Sequence, residues 1–466
     1  MKVPKGLAEV AKAITSSKSG VMGLLILLVI VGISFFALIF IPSDVVSKWN
    51  DPLFWQKNPK VVAPEWSLFI NQKNEPRTIH VLPEEFNKYE FFVELSGIKY
   101  ITLEKRVNYN YDTFPSELFT SINTTFSNYK PLVIIKMIRP DGAEVLLYKN
   151  ILTNNGVNDF YISTDQEIRQ NVYTFLDNLG VNRTNVAYPE VCLFAVNDEN
   201  MLDFNKASVL KGIYEIKIEI LATDESDTAD GEFIIHGQIY GLAGTDSKRR
   251  DLFIGLVWGA PVALAFGLSA AIVTSFIQAF FGAISAWYGG FVDEVVQRIT
   301  DVSMMLPFFA TLIMISILYE VTITTLLIVV ITLTLFGGIT KTARSVTFQI
   351  KSEQYIEAAI SYGASKSRIL FLYIMPRLLP YILANIVLNV PFYIFLEAAL
   401  SVLGLGDPRV PTWGKIISDA FSGDAPLHGY WWWILLPAFL IILTASAFAL
   451  IGYSLDKYVN PRLREQ

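Results

Sequence analysis

Residues 357–376 read Glu357-Ala-Ala-Ile-Ser-Tyr-Gly363, then Ala364-Ser-Lys-Ser-Arg368, then Ile369-Leu-Phe-Leu-Tyr-Ile374-Met-Pro376, a polar and charged stretch wedged between long apolar runs. Ser352 is placed to cap a short helix, with Glu353 and Glu357 favouring its positive N-terminal end. Tyr355, Ile356, Ala359 and Ile360 give that helix an apolar stripe at helical spacing. Gly363 suits the left-handed residue that ends a helix, and Ser365 suits the cap of the next one. Two short helices meeting at a glycine make a projecting elbow. Between membrane spans such an elbow is a candidate docking surface.

The composition says that spans are there to be found. Of 466 residues 52% are hydrophobic and only 17% charged, against about 25% charged in soluble domains. A net charge of −6 is modest and argues against nucleic acid as a partner. The single cysteine, Cys192, excludes a disulfide framework within the chain and a cysteine zinc cluster. His80, His236 and His428 are scattered, so no metal site is expected.

Working outward, residues 1–20 carry Lys2, Lys5, Lys12 and Lys18 against Glu9. The uncharged run 20–41 that follows is long enough to cross a hydrocarbon core, which takes roughly 20 helical residues. Phe35, Phe36, Leu38 and Phe40 at its end read as an uncleaved span rather than a signal peptide. The run 252–288 is too long for one simple span; Pro261 is expected to divide it, leaving 262–287 as span two. Asp293, Glu294, Arg298 and Asp301 are expected in a short turn before span three (304–319). Span four covers about 322–339, span five about 378–402 and span six about 433–453. The segment 341–377, with Lys341, Arg344, Lys351, Lys366, Arg368 and Arg377, is basic, as are the N-terminus and the tail from Asp456 to Arg464. Six spans put these three basic segments on one side, which marks it as cytoplasmic. Lys248, Arg249 and Arg250, outside next to span two, are the one local vote against.

From Pro42 to about Asp251 charge returns and no apolar run is long enough to span. Residues 131–150 read as a hairpin around Arg139-Pro-Asp-Gly142. Residues 214–220 alternate, with Tyr214, Ile216, Ile218 and Ile220 facing one way and Glu215, Lys217 and Glu219 the other. Residues 91–103 and 233–240 add strands. Thr164-Asp-Gln-Glu167 is a capping box for a helix bearing Ile168, Val172, Phe175, Leu176 and Leu179, stopped at Gly180. This is a β-rich domain of ordinary size. Asn123-Thr-Thr and Asn182-Arg-Thr match the glycosylation acceptor tripeptide, a pattern frequent by chance. The expected architecture is therefore a polytopic α-helical membrane protein: 1–42 as cytoplasmic N-terminus and first span, 43–248 as a β-rich extracytoplasmic insertion between spans one and two, and 249–466 as a core with five spans.

The quoted stretch resembles the "EAA" coupling loop of binding-protein-dependent ABC-transporter permeases. The usual ending is Ile-x-Leu-Pro; here Ile374-Met-Pro376 puts Ile one place later and Met for Leu. Leu396-Glu-Ala-Ala-Leu-Ser-Val-Leu-Gly-Leu-Gly406 with Pro411-Thr-Trp-Gly414 resembles the end of span five in C-type subunits of dipeptide/oligopeptide permeases. Gly244-Thr-Asp246 with Arg250-Asp251, Gly289-Gly-Phe-Val-Asp293 with Arg298, Asp301 and Pro307, and Asn460-Pro-Arg-Leu463 resemble further blocks of these subunits. The likeness covers roughly 1–45 and 240–466; the large insertion departs from it, because these subunits usually have a much shorter loop there.

The resemblance implies a type I ABC importer permease fold and ATPase coupling through Glu357, Ala358, Ala359, Gly363, Ile374 and Pro376. Glu397, Asp301 and Trp413 are pathway or structural candidates, since a carboxylate deep in a span marks either a route or a pair. Trp431-Trp-Trp433 reads as an interfacial aromatic belt. The chain has no Gly-x-x-x-x-Gly-Lys-Ser/Thr phosphate loop; Gly337-Gly-Ile-Thr-Lys341 lacks the spacing. No cofactor is expected on the chain and no enzyme activity of its own; ATP and magnesium belong to partner ATPases. The implied partners are a second, homologous permease, two ABC ATPase subunits, an extracytoplasmic substrate-binding protein and the lipid bilayer of the plasma membrane, with both termini cytoplasmic. Peptides or related small oligomers are the implied cargo. The competing reading is a membrane-anchored surface receptor or adhesion protein with the β-rich domain as its working part; it leaves the elbow unexplained.

Overall fold

The computed structural model describes residues 12 and 14–459 except 72, 96, 128, 182–187, 204–205 and 320–321, with backbone alone at 70–71 and 456–459. Lys2, Lys5, Glu9, the tripeptide at Asn182 and the closing Asn460-Pro-Arg-Leu463 lie outside the described residues, as do the side chains of the basic tail. The chain folds as two units, Asp51–Leu252 and the union of Met1–Asn50 with Phe253–Gln466.

Helix α1 (Lys18–Phe40) is uncharged after its first residue, and Ser17 caps it by accepting from Gly20 N. It packs along the last helix of the chain at Gly23, where an added Cβ would lie 2.7 Å from the Ala447 carbonyl. Small residues at a helix crossing let backbones approach closely, the usual means of packing apolar helices in lipid.

The second unit holds two antiparallel sheets, one of four strands in the order β1-β9-β4-β7 and one of five in the order β2-β3-β8-β5-β6. The strands are β1 (Ile79–Val81), β2 (Asn87–Val93), β3 (Ile98–Tyr109), β4 (Glu117–Thr125), β5 (Leu132–Ile138), β6 (Glu144–Ile151), β7 (Gly156–Tyr161), β8 (Gly212–Ala222) and β9 (Thr228–His236). Period-two alternation puts Tyr214, Ile216, Ile218 and Ile220 in the core with Val133, Ile135, Ile101 and Leu103. On the other face Lys217 bridges Glu104 at 3.1 Å and Glu219 at 3.2 Å. The 139–142 turn forms as the sequence predicts, with Gly142 at φ +85° and β5 paired antiparallel to β6.

Helix α2 (Gln166–Asn178) buries Ile168, Val172, Phe175 and Leu176. Its cap is Asp165, whose carboxylate accepts from the N–H groups of Glu167 and Ile168, so the capping box expected at Thr164 starts one residue late. A carboxylate at the cap favours the positive helix end more than a hydroxyl does. The segment 91–103 supplies two strands, turning at Gly97 (φ +62°).

The helical unit departs from the expected spans in three places. Helix α3 (Leu252–Tyr288) runs unbroken through Pro261 for 37 residues, about 55 Å at 1.5 Å per residue. The proline does not divide it; in the adjoining turn the Trp413 indole Nε1 donates to the Leu256 carbonyl at 2.8 Å. Residues 290–305 form helix α4 (Gly290–Met305), not a turn. Pro307 then ends it, and α5 (Phe308–Leu318) leaves at 74°. Proline disfavours a helical residue before it and withholds an N–H, which accounts for the bend. Span four is likewise a pair, α6 (Ile323–Leu333) and α7 (Gly338–Lys351), bent by 45°. Helix α8 (Gln354–Ser361), α9 (Met375–Val402), α10 (Trp413–Ser422) and α11 (Trp431–Val459) complete the chain. Among the described residues, four helical runs are long and apolar enough to cross a membrane, and the two bent pairs pass the same test jointly.

Candidate functional site

Helix α8 is the short helix predicted at 357–363, with one change at its start. Ser352 does not cap it; it ends α7 and its hydroxyl donates back to the Gln349 carbonyl at 2.9 Å. The cap position is Glu353, in extended backbone at φ −78°, ψ 140°. A serine just after a helix is near enough to bond its last carbonyls, and that local bond wins here. At the other end Gly363 has φ +76°. Its N–H donates to Ile360 O at 2.9 Å while Ala364 N donates to Ala359 O at 3.0 Å, the pair of reversed bonds that closes a helix on a left-handed residue. Ser365 then accepts from Arg368 N and starts the helix Lys366–Ile369.

The six candidate coupling residues divide by burial. Ala359 and Ile374 are buried and anchor the elbow, whereas Glu357, Ala358, Gly363 and Pro376 are exposed. Beside them stand Ile360 and Tyr362, 53% and 92% exposed, so the expected apolar stripe is narrower: Ile356 and Ala359 carry it. Helix residues only one or two apart point different ways, so a run of small and apolar residues cannot all face inward. Past the elbow, Met375 N donates to Leu370 O, five residues back, giving a π turn at Leu370–Ile374. Pro376 has no N–H for Leu372 O, a local reason for the widened turn.

Contacts run from the elbow to α9 and, separately, from α7, the helix that precedes it, to α3 and α4. Toward α9, the Arg377 guanidinium sits 4.8 Å from the Tyr355 ring centroid, and Tyr355 stacks on Tyr373. Toward α3 and α4, Arg344 donates from Nε and a terminal nitrogen to the two Asp293 oxygens at 2.6 and 2.5 Å, and Ser285 donates to the same carboxylate. Lys341 pairs with Asp301 at 2.7 Å. Lys351 donates to Trp287 O at 3.1 Å and Ala286 O at 3.4 Å, the last carbonyls of α3.

The break between α6 and α7 is lined by polar groups that sequence reading passed over. Gln278 Nε2 donates to the Thr334 carbonyl at 2.5 Å, and Tyr393 bonds Thr274 at 3.0 Å and Thr334 Oγ1 at 3.4 Å. Backbone freed from a helix at membrane depth needs such partners, because hydrocarbon offers none. The signal was present as polar residues inside apolar runs, beside Gly337-Gly338.

Asp301 is thus one half of an ion pair. Glu397 does not reach water: it is 3% exposed and accepts from Ser401 Oγ at 2.8 Å. Trp413 is 1% exposed and tied to Leu256. Trp432 and Trp433 are buried, and Trp431 alone of the three is half-buried, so the run is mostly packing rather than an exposed belt. Next to Ser401 a cavity of 530 Å³ is lined by Tyr319, Thr322, Gly404, Arg409 and Lys415. At its rim burial pushes the Asp407 carboxyl up, but Arg409 and the N–H groups of Arg409 and Ile323 outweigh this and hold it below the ordinary range. In the other unit Arg249 and Arg250 are neutralised by Glu117 and Asp246.

The chain is similar to known transport proteins. The family described as "Binding-protein-dependent transport system inner membrane component" matches residues 278–465. The chain is 35% identical over 225 residues to the oligopeptide transport system permease protein OppC of Bacillus subtilis, covering 48% of this chain and 72% of that one. Against the dipeptide transport system permease protein DppC of the same organism it is 33% identical over 222 residues, covering 47% and 68%. The OppC of Haemophilus influenzae is 30% identical over 226 residues, covering 48% and 71%.

Proposed function

Because this chain belongs to the family of binding-protein-dependent transport system inner membrane components, we propose that it is one permease subunit of an ATP-driven importer for peptides or related small oligomers. It forms half of the translocation pathway, with a second homologous permease supplying the other half. Two cytoplasmic ATPases hold ATP and magnesium, and an extracytoplasmic binding protein delivers the cargo. Six spans, with α4–α5 as the third and α6–α7 as the fourth, leave both termini and the elbow in the cytoplasm. The β-rich domain is then an extracytoplasmic insertion between the first and second spans. The basic segments support this orientation, and neutralisation of Arg249 and Arg250 within their own domain reduces the local vote against it to Lys248.

The observation that carries the reading is the elbow itself. Helix α8 is anchored by Ile356 and Ala359 while Glu357, Ala358 and Tyr362 face outward, a small projecting surface of the kind an ATPase groove would grip. ATP binding changes the relative stability of two permease arrangements only if the nucleotide state alters that grip. The test is Gly363→Pro. Proline can take neither φ +76° nor donate to Ile360 O. The variant is expected to insert normally yet lose ATP-dependent uptake and co-purification of the ATPase. Normal uptake would overturn the assignment.

A further inference from the structure

The elbow is fastened to more than the spans that flank it in sequence. Lys341, Arg344 and Lys351 recur at helical spacing along α7, so they lie on one stripe. Each meets a different acceptor: Asp301 in α4, Asp293 at the start of α4, and the terminal carbonyls of α3. Asp293 is held from two sides: Arg344 grips both oxygens and Ser285 of α3 donates to one of them. Gln297 of α4 donates in turn to Ser285 at 3.2 Å. Where α7 crosses α3 the backbones touch: a Cβ on Gly282 would stand 2.3 Å from the Thr340 carbonyl. Paired charges, fork geometry and close backbone contact make this a stiff joint.

The opposite end of α7 is the reverse. Residues 334–337 are not helical, and α6 leaves at 45°. Mechanically, α7 joins the elbow through the two-residue turn Ser352–Glu353, is locked to α3 and α4 along its length, and is broken from α6 at its other end.

We propose that Arg344 and Asp293, with Lys341 and Lys351 beside them, are positioning residues of transport that pass elbow displacement into the second and third spans, with 334–337 as the pivot that spares α6. This rests on the coupling reading above. Chain order alone would send the motion into spans four and five. The side-chain network sends a second, separable branch into α3 and α4.

The experiment uses the assembled transporter in proteoliposomes, with spin-label pairs Met305/Ile39 and Phe395/Ile39 read with and without ATP–vanadate. Met305 reports on α4, Phe395 on α9. In the otherwise native chain both distances are expected to shift. Arg344→Ala should lose the Met305 shift and keep the Phe395 shift, and the charge swap Asp293→Arg with Arg344→Asp should restore the first. Lys351→Met, which removes a different tie, should reduce the Met305 shift without removing the Asp293 pair. An equal Met305 shift in Arg344→Ala would overturn the proposal while leaving coupling intact. Absence of both shifts in the native chain would overturn the coupling reading and this one with it, whereas a native Phe395 shift without a Met305 shift would overturn this proposal alone. Loss of both shifts in Arg344→Ala, unrestored by the swap, would mark the pair as a general structural support and overturn the separate branch.

Discussion

Ala364 donates its backbone N–H to the carbonyl of Ala359 at 3.0 Å, reaching across Gly363 to close helix α8. The bond exists because Gly363 sits at φ +76°, where a side chain clashes with its own backbone. Gly363→Ala is therefore expected to cost about 1 kcal/mol locally and raise opening of this turn about fivefold. Hydrogen exchange at the Ala364 amide reads it directly; unchanged protection would show that the left-handed turn is not what holds the elbow.

Arg139, in the turn between β5 and β6, is buried against the C-terminal end of the β-rich unit's helix Pro189–Phe194. Its guanidinium donates to Cys192 O at 2.8 Å and Ala195 O at 2.6 Å, and pairs with Asp141 at 2.9 Å. Arg139→Met leaves those carbonyls without a donor, a cost of about 3 kcal/mol. The expected result is faster exchange throughout β5 and β6, while α3 and α11 keep theirs.

His236 sets an acid limit on the same unit. It is 1% exposed with no partner at either ring nitrogen. Burial first, then the nearby Arg249 cation and His80, lower its pKa from 6.5 to about 3. The folded state keeps it neutral while the unfolded chain takes up a proton below pH 6.5. This stability is thus complete above pH 6.5 and declines as pH falls toward 3, by up to about 1.4 kcal/mol per pH unit. Glu190, raised by burial, pulls the other way, so the comparison of His236→Leu with the native chain isolates the histidine. The variant's unfolding midpoint in urea should lose most of its slope between pH 6.5 and 4.5.

Trp413 ties α10 to α3, and within α9 Glu397 holds the Ser401 hydroxyl beside it. Glu397→Gln keeps an acceptor for Ser401 and is expected to leave thermal stability in detergent nearly unchanged. Glu397→Leu strands the hydroxyl and should cost about 1–3 kcal/mol. A large loss in the glutamine variant would mean that the charge itself matters there.

Gly414→Ala probes the packing of α10 through sterics. The added Cβ would stand 2.5 Å from Ala398 Cα, backbone that cannot turn aside. The variant should lose the seat of α10 on α9, seen as lowered folded yield and a fluorescence change at Trp413.

Much of this protein was legible along the chain. Long apolar runs are a consequence of backbone needing internal hydrogen bonds in hydrocarbon, and they announce α1, α3, α9 and α11. Strict alternation in β8 and the Arg139–Gly142 turn follow from strand pleat and glycine geometry. The elbow's glycine, its Ser365 cap and its proline are local chemistry, and local chemistry is written in order.

What the sequence by itself could not determine is which of two local options wins, and who meets whom. Ser352 serves the helix behind it rather than the one ahead. Pro261 leaves its helix unbroken, whereas Pro307 ends one and the next leaves at 74°. Glu397, Trp413 and Trp433 look like surface or pathway residues until α10 packs into place and buries them. The ties from Lys341, Arg344 and Lys351 to residues some fifty positions earlier are tertiary facts. Each partner's side chain is ordinary on its own, and only packing α7 against α3 at Gly282 brings the charges within reach.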